Sequence, residues 1–310
     1  MSGKNVIRAS VIQACSAQYS LSATLDKLER LVRQVAQEGS QLAVFPMAFV
    51  GGYPRFSTFG TRVGFWPTPE GRDEFVRYYD AAIEVPGSDA VARMEAVSRE
   101  TGIFLVVGVV ERHLGTLYCT AVFVDPVQGY VTKHRKLMPT MMERIIWGQG
   151  DAAHLPVPQA TFATKGEERS AKARLSASLC WENYMPLIRT FYYSQGTQIY
   201  CAPTIDDSPG WQHSMHHIAL EGRCFVLSAS QYAEDKDYPE GHAVADKNDP
   251  VDPGVVMSGG SIIISPLGKV LAGPLWKQEG VLTADLDLDD LPRGKFDLDV
   301  TGHYARHDGE

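Results

Sequence analysis

Of the five cysteines in this 310-residue chain, Cys180 has the surroundings that thiol chemistry needs. It closes the apolar run 173–179 and opens Trp181-Glu182-Asn183-Tyr184, a strand end before a helix. Alternating α/β folds place reactive groups at such ends. A free cysteine is more often a buried hydrophobe than a nucleophile, so it needs a neighbouring cation or base that favours thiolate. Lys133-His134-Arg135-Lys136-Leu137, then Pro139-Thr140 and Glu143-Arg144, supplies one. A charge cluster ordinarily reads as a solvated turn. Here Leu137, Met138, Met141 and Met142 suit an exposed loop poorly, and a lysine among them would face developing negative charge. A third segment, Phe45-Pro46-Met47-Ala48-Phe49 followed by Gly51-Gly52-Tyr53-Pro54, is a turn at a strand end with apolar flanks. Two other patterns carry less. His213 and His217 have zinc-helix spacing, with His216 between them, but no Glu follows His213, so surface or oligomer contacts are the better reading and no metal is expected. No Gly-Lys-Ser/Thr follows Gly51-Gly52, so no phosphate loop is expected.

These segments need a scaffold. Strands are expected at 7–13, 41–45, 103–112, 116–124, 173–179, 199–202, 224–231, 261–265 and 280–286. Helices are expected at 21–38, 72–83, 89–100, 185–195 and 211–223, the first capped by Ser22 or Thr24 and stopped by Gly39. Strand–helix alternation with tight strand pairs gives an α/β fold with mixed sheets. The Gly/Pro/Asp-rich stretch 238–254 reads as a surface loop. Lys plus Arg number 29 against 37 Asp plus Glu, a formal charge of −8 that argues against a nucleic-acid partner. No apolar run reaches the ~20 residues that span a bilayer, so no membrane partner is expected. The first residues run into a strand without a signal-peptide core, and the odd, scattered cysteines lack a C-x-x-C pair. The expectation is a soluble cytoplasmic protein.

In order along the chain, five runs resemble the nitrilase branch of the carbon–nitrogen hydrolase superfamily. They are Phe45-Pro46-x-Ala48-Phe49-x-Gly51-Gly52-Tyr53-Pro54, His134-Arg135-Lys136-Leu137-x-Pro139-Thr140, Trp147-Gly148-Gln149-Gly150-Asp151, Cys180-Trp181-Glu182-Asn183-Tyr184-Met185-Pro186 and His217-Ile218-Ala219-Leu220-Glu221-Gly222-Arg223-Cys224-Phe225-Val226. The resemblance implies a four-layer α-β-β-α sandwich in one domain, 1–291, with a C-terminal tail, 292–310, open to an oligomer contact. It implies no cofactor and a dimer-based homo-oligomer that extends into spirals or filaments. Cys180 would add to a nitrile carbon to give a thioimidate, Lys136 would stabilise the charged intermediate, and Glu143 would position Lys136. Trp181, Glu182, Tyr53 and Thr204 would contact substrate. Ammonia and then a carboxylic acid would leave by way of a thioester. Phe56, Phe59 and Phe65, in the loop 53–66, either line an entrance for aryl or arylaliphatic nitriles or serve packing.

One position departs from that pattern. The family's general base is a glutamate in the first of these runs, and Met47 stands there. A thioether cannot take a proton from Cys180 or hand one to a leaving nitrogen. Ser176, Ser178, Met141-Met142 and Ile205 also differ from the family's usual residues. The set fits an altered, engineered or repurposed site better than a single inactivation. Nitrile hydrolysis is expected to be severely reduced. The alternative is a catalytically silent homo-oligomer of the same fold.

Overall fold

The computed structural model describes residues 5–163, 170–240, 242 and 254–306. The first half forms β1 (Val6–Gln13), α1 (Leu21–Gln37), β2 (Leu42–Val44), α2 (Pro69–Ala81), α3 (Asp89–Thr101), β3 (Phe104–His113), β4 (Thr116–Asp125) and β5 (Gly129–Arg135). The second half forms β6 (Gln159–Ala163), β7 (Ser170–Ala177), α4 (Pro186–Ser194), β8 (Ile199–Cys201), α5 (Pro209–Gly222), β9 (Phe225–Ser228), β10 (Tyr232–Glu234), β11 (Val255–Ile264), β12 (Val270–Trp276), β13 (Gly280–Asp287) and α6 (Asp290–Lys295). One sheet has the order β13-β1-β2-β3-β4-β5, the other β10-β11-β9-β8-β7-β6 with β12 paired to β11. Each is built round three parallel strands, β1-β2-β3 and β7-β8-β9, flanked by antiparallel ones.

Strand period sorts the side chains into layers. Val106 on β3 joins the core between the sheets with Val11, Phe123, Leu175, Leu227 and Ile263. Its neighbours Leu105 and Val107 face outward, where α1 and α3 cover them with Leu28, Val32 and Met94. Across the molecule, α4 and α5 lay Tyr192, Trp211 and Met215 on Tyr200, Val226 and Ile262. Each fully buried Leu, Val or Phe contributes about 1.5–3 kcal/mol, which fixes both sheet faces and hence strand register. The expected α-β-β-α sandwich is the observed fold.

Several local expectations change. Ser20, not Ser22 or Thr24, caps α1, its hydroxyl accepting from the Ala23 N–H. The basic stretch before Lys136 is strand β5 and not a turn. Alternation sends Lys133 and Arg135 to the buried Glu111 carboxylate and turns His134 inward, where it is fully buried. The helix α6 crosses the expected 291/292 boundary, with Leu291 buried. The loop expected at 238–254 falls largely outside the described residues; within them, Tyr238 donates to the Tyr53 carbonyl at 3.0 Å.

Candidate active site

The reactive candidates meet where β2, β5 and β7 end. Cys180 sits three residues beyond the end of β7 with φ 51°, a left-handed conformation that costs a non-glycine residue about 1–3 kcal/mol. Buried hydrogen bonds hold it there. Its N–H donates to the Pro203 carbonyl at 2.9 Å. The Asn183 amide donates to the carbonyls of Cys180 at 2.7 Å and Ser178 at 3.0 Å. Arg189 in turn donates to the Asn183 carbonyl at 2.9 Å and pairs with Glu221, so the run around Glu221 braces the turn from behind.

Lys136 extends from the end of β5 with its side chain wholly buried. Its ammonium donates to Glu143 Oε2 at 2.7 Å and Thr140 Oγ1 at 3.0 Å, and lies 3.9 Å from Met47 Sδ. Both Glu143 oxygens are engaged: Oε2 also accepts from the Thr140 N–H at 2.6 Å, and Oε1 from the Tyr53 hydroxyl at 3.0 Å. Gly150 N–H donates to the Lys136 carbonyl at 2.8 Å, and a Cβ on Gly150 would fall 2.2 Å from the Arg135 carbonyl oxygen. The glycine in the run 147–151 therefore lets that segment press against the back of β5.

Electrostatics keep both groups protonated at rest. Burial, joined by the Glu143 charge, pushes the Cys180 thiol above its ordinary value; Lys136, Thr204 and the Ile205 N–H pull it down without prevailing. Burial also works against the Lys136 ammonium, but Cys180 and Glu143 outweigh it and raise its pKa above the usual lysine value.

Met47 is fully buried against this cluster. Its carbonyl accepts from Gln231 Nε2 at 2.7 Å, and Ala48 has φ 50°. The turn lies so close to β3 that a Cβ on Gly108 would meet the Pro46 carbonyl oxygen at 2.1 Å and Met47 Cα at 2.6 Å. Sequence reasoning missed Gly108 and Gln231. A glycine in the middle of an apolar strand was the available signal for the first; nothing marked the second.

The other expected contacts divide. Tyr53 reaches the cluster through Glu143. Thr204 is buried, and its neighbour Pro203 accepts from the Cys180 N–H. Trp181 is 45 % exposed, its indole N–H donating to Asp206 at 2.8 Å. Glu182, expected to contact substrate, is instead taken up by protein donors. Its carboxylate is buried and accepts from the N–H groups of Leu137 at 2.6 Å and Leu179 at 2.7 Å, and from His134 Nε2 at 3.0 Å. Met141 and Met142, expected to be buried, are exposed because a 3-10 turn, Met141–Ile145, turns Glu143 inward instead. Phe59 is buried whereas Phe65 and Trp66 are exposed. His213 and His217 lie on the exposed face of α5, His217 facing Glu221 at 3.5 Å. A broad surface depression lined by Tyr79, Arg112, Lys133 and Asp151 touches none of the site residues.

A thiol on a strained strand-end turn beside a buried, carboxylate-held ammonium defines a cysteine hydrolase of the α-β-β-α class. Residues 8–295 match the carbon–nitrogen hydrolase family model, and the chain belongs to that family. It is 65% identical over 306 residues to an arylacetonitrilase from Trametes versicolor, covering 98% of this chain and 95% of the relative. It is 50% identical to an aliphatic nitrilase from Sinorhizobium fredii, covering 97% and 93%. Among solved structures, Saccharomyces cerevisiae Nit3, a nitrilase-superfamily member, superposes with a TM-score of 0.71 at 17% identity over 98% of each chain.

Proposed function

We propose that this chain is a nitrilase acting on small organic nitriles, arylacetonitriles among them, with Cys180 as nucleophile. The carrying observation is the buried Lys136 ammonium, held by Glu143 at 2.7 Å beside the Cys180 turn. The 65% identity to an arylacetonitrilase supports the substrate class. The Cys180 sulfur adds to the nitrile carbon while Lys136 stabilises the charge that grows on nitrogen, giving a thioimidate. Water then adds; loss of ammonia gives a thioester, and a second water releases the carboxylic acid. Tyr53 and Thr140 hold the Glu143 carboxylate, so the ammonium arrives pre-aimed. Trp181, next to Cys180, and Thr204, next to the Pro203 carbonyl that accepts from the Cys180 N–H, are the residues we assign to substrate contact. Glu182 serves as a positioning residue.

Every proton transfer in this course is handicapped by Met47. General acid–base help is worth about 10²–10⁴-fold, so turnover is slow although the nucleophile and its cation are in place. Met47→Glu is expected to raise ammonia and acid release from phenylacetonitrile at least 100-fold. Unchanged rates in a folded variant would show that position 47 is not where the base belongs. Met47 also motivates a second reading, a silent assembly protein, which would show neither product nor nitrile adduct. On α4 and α5, Leu187 and Leu220 are exposed, which supports a dimer-based homo-oligomer. Sedimentation at the level of a monomer across micromolar concentrations would refute that.

A further inference from the structure

We infer that with Met47 in place the chain expels Cys180 in preference to ammonia, so that its principal product from a nitrile is the amide. This rests on the reading of Cys180 as the residue that takes up nitriles, and concerns how the resulting intermediate breaks.

The steps balance without any oxidant or further reactant. The Cys180 sulfur bonds to the nitrile carbon and the thiol proton passes to nitrogen, giving R–C(=NH)–S–Cys180. Water adds through oxygen and its proton goes to nitrogen, leaving one carbon that carries OH, NH2 and the sulfur. Two bonds can then break. Cleavage of C–N requires that the nitrogen first gain a proton, because an amide anion does not leave. Cleavage of C–S requires no prior protonation: the electron pair stays on sulfur, which even with burial raising the Cys180 thiol leaves far more readily than an amide anion, and the hydroxyl proton passes to it. The products of that second route are R–C(=O)NH2 and the original thiol.

The surroundings favour the second route. The Lys136 ammonium faces a departing thiolate, and a thioether stands 3.9 Å from that ammonium where a proton donor is needed. Among the described residues, the two carboxylates nearest the site, Glu143 and Glu182, are already committed to other donors. Both Glu143 oxygens are engaged by Tyr53, Thr140 and Lys136, and Glu182 is committed to Leu137, Leu179 and His134. Lys136 holds its proton more tightly than an ordinary lysine, and burial raises the Tyr53 phenol as well. Among the described residues at the site, Lys136 and Tyr53 are therefore poor donors to a departing nitrogen.

The test is product partition from phenylacetonitrile, with phenylacetamide and phenylacetic acid separated by chromatography and ammonia assayed in parallel. We expect the unaltered chain to give at least tenfold more amide than acid, and Cys180→Ala to give neither. Met47→Glu should invert the ratio towards acid with equimolar ammonia. Met47→Gln, of the same shape but without an acid, should keep the amide. If Met47→Glu fails to fold, the ratio from the unaltered chain and from Met47→Gln still decides. Acid with equimolar ammonia as the main product of the unaltered chain would overturn the inference while leaving nitrile uptake intact. A stable adduct on Cys180 with no released product would also overturn it. Absence of both adduct and product would overturn nitrile uptake, and the partition with it.

Discussion

At the scale of single residues, the site is a thiol that needs help to ionise. Burial and Glu143 raise the Cys180 pKa above its ordinary value, so at pH 7 the thiolate fraction is smaller than that of a free cysteine. Because the thiolate is the reactive form, Cys180 alkylation by iodoacetamide should climb with pH and still be rising at pH 9. Lys136→Met removes the cation that opposes this rise and should slow alkylation further at pH 8. A rate that levels off below pH 8 would contradict the assignment. Cys180, Lys136 and Glu143 were legible in the sequence because each lies in a short run whose order and spacing are local. Gln231 was not: its bond to Met47 joins residues 184 positions apart, and no local pattern encodes such a contact. Glu182 was found but misread, since a carboxylate beside a nucleophile looks the same in sequence whether it faces substrate or backbone.

At the scale of elements, Glu182 ties the two sheets together at the chemistry. It accepts from Leu137, one residue beyond Lys136, and from Leu179, one residue before Cys180, while His134 on β5 closes the third side. This one carboxylate bridges the segments that carry Lys136 and Cys180. In Glu182→Gln the amide NH2 would confront a donor, leaving a buried N–H unpaired at a cost of about 1–3 kcal/mol. We expect a lowered Tm, and a kcat that falls while the Cys180 alkylation profile keeps its shape. Burial alone would raise the Glu182 pKa, but His134 and the two N–H groups outweigh it and hold it below 4.5. A carboxyl depressed in the folded state contributes stability above its unfolded pKa and loses it as pH falls through the folded value. The stability gap between the unaltered chain and Glu182→Gln should therefore be full at pH 6 and shrink below about pH 4. A gap that stays constant down to pH 3 would contradict the clamp. Strands β1, β3 and β4 and helices α1 and α3 were legible from period and caps. Strand β5 was hidden because its charges are paired with Glu111 on β3, a contact that depends on the sheet already existing.

At the scale of the molecule, each sheet contributes what the other lacks. The first carries Lys136, Glu143 and the Met47 turn; the second carries Cys180 and Thr204. Packing the sheets face to face therefore assembles the site as the core forms. This explains why a resemblance spread over five separate runs converges on one cluster, and why the sandwich could be expected from motif order. Exposed Phe65, Trp66 and Leu187 were harder to foresee, because apolar residues read as core until a fold says which of them it leaves outside. The whole assembly has one chemical purpose on this reading, to hold Cys180 ready for a nitrile carbon. The most direct measurement is intact mass spectrometry after brief exposure to phenylacetonitrile, followed by peptide mapping. A gain of one nitrile molecule on the peptide carrying Cys180, absent from Cys180→Ala, is the expected result. A gain at any other residue, or neither adduct nor amide or acid product at saturating nitrile, would contradict it.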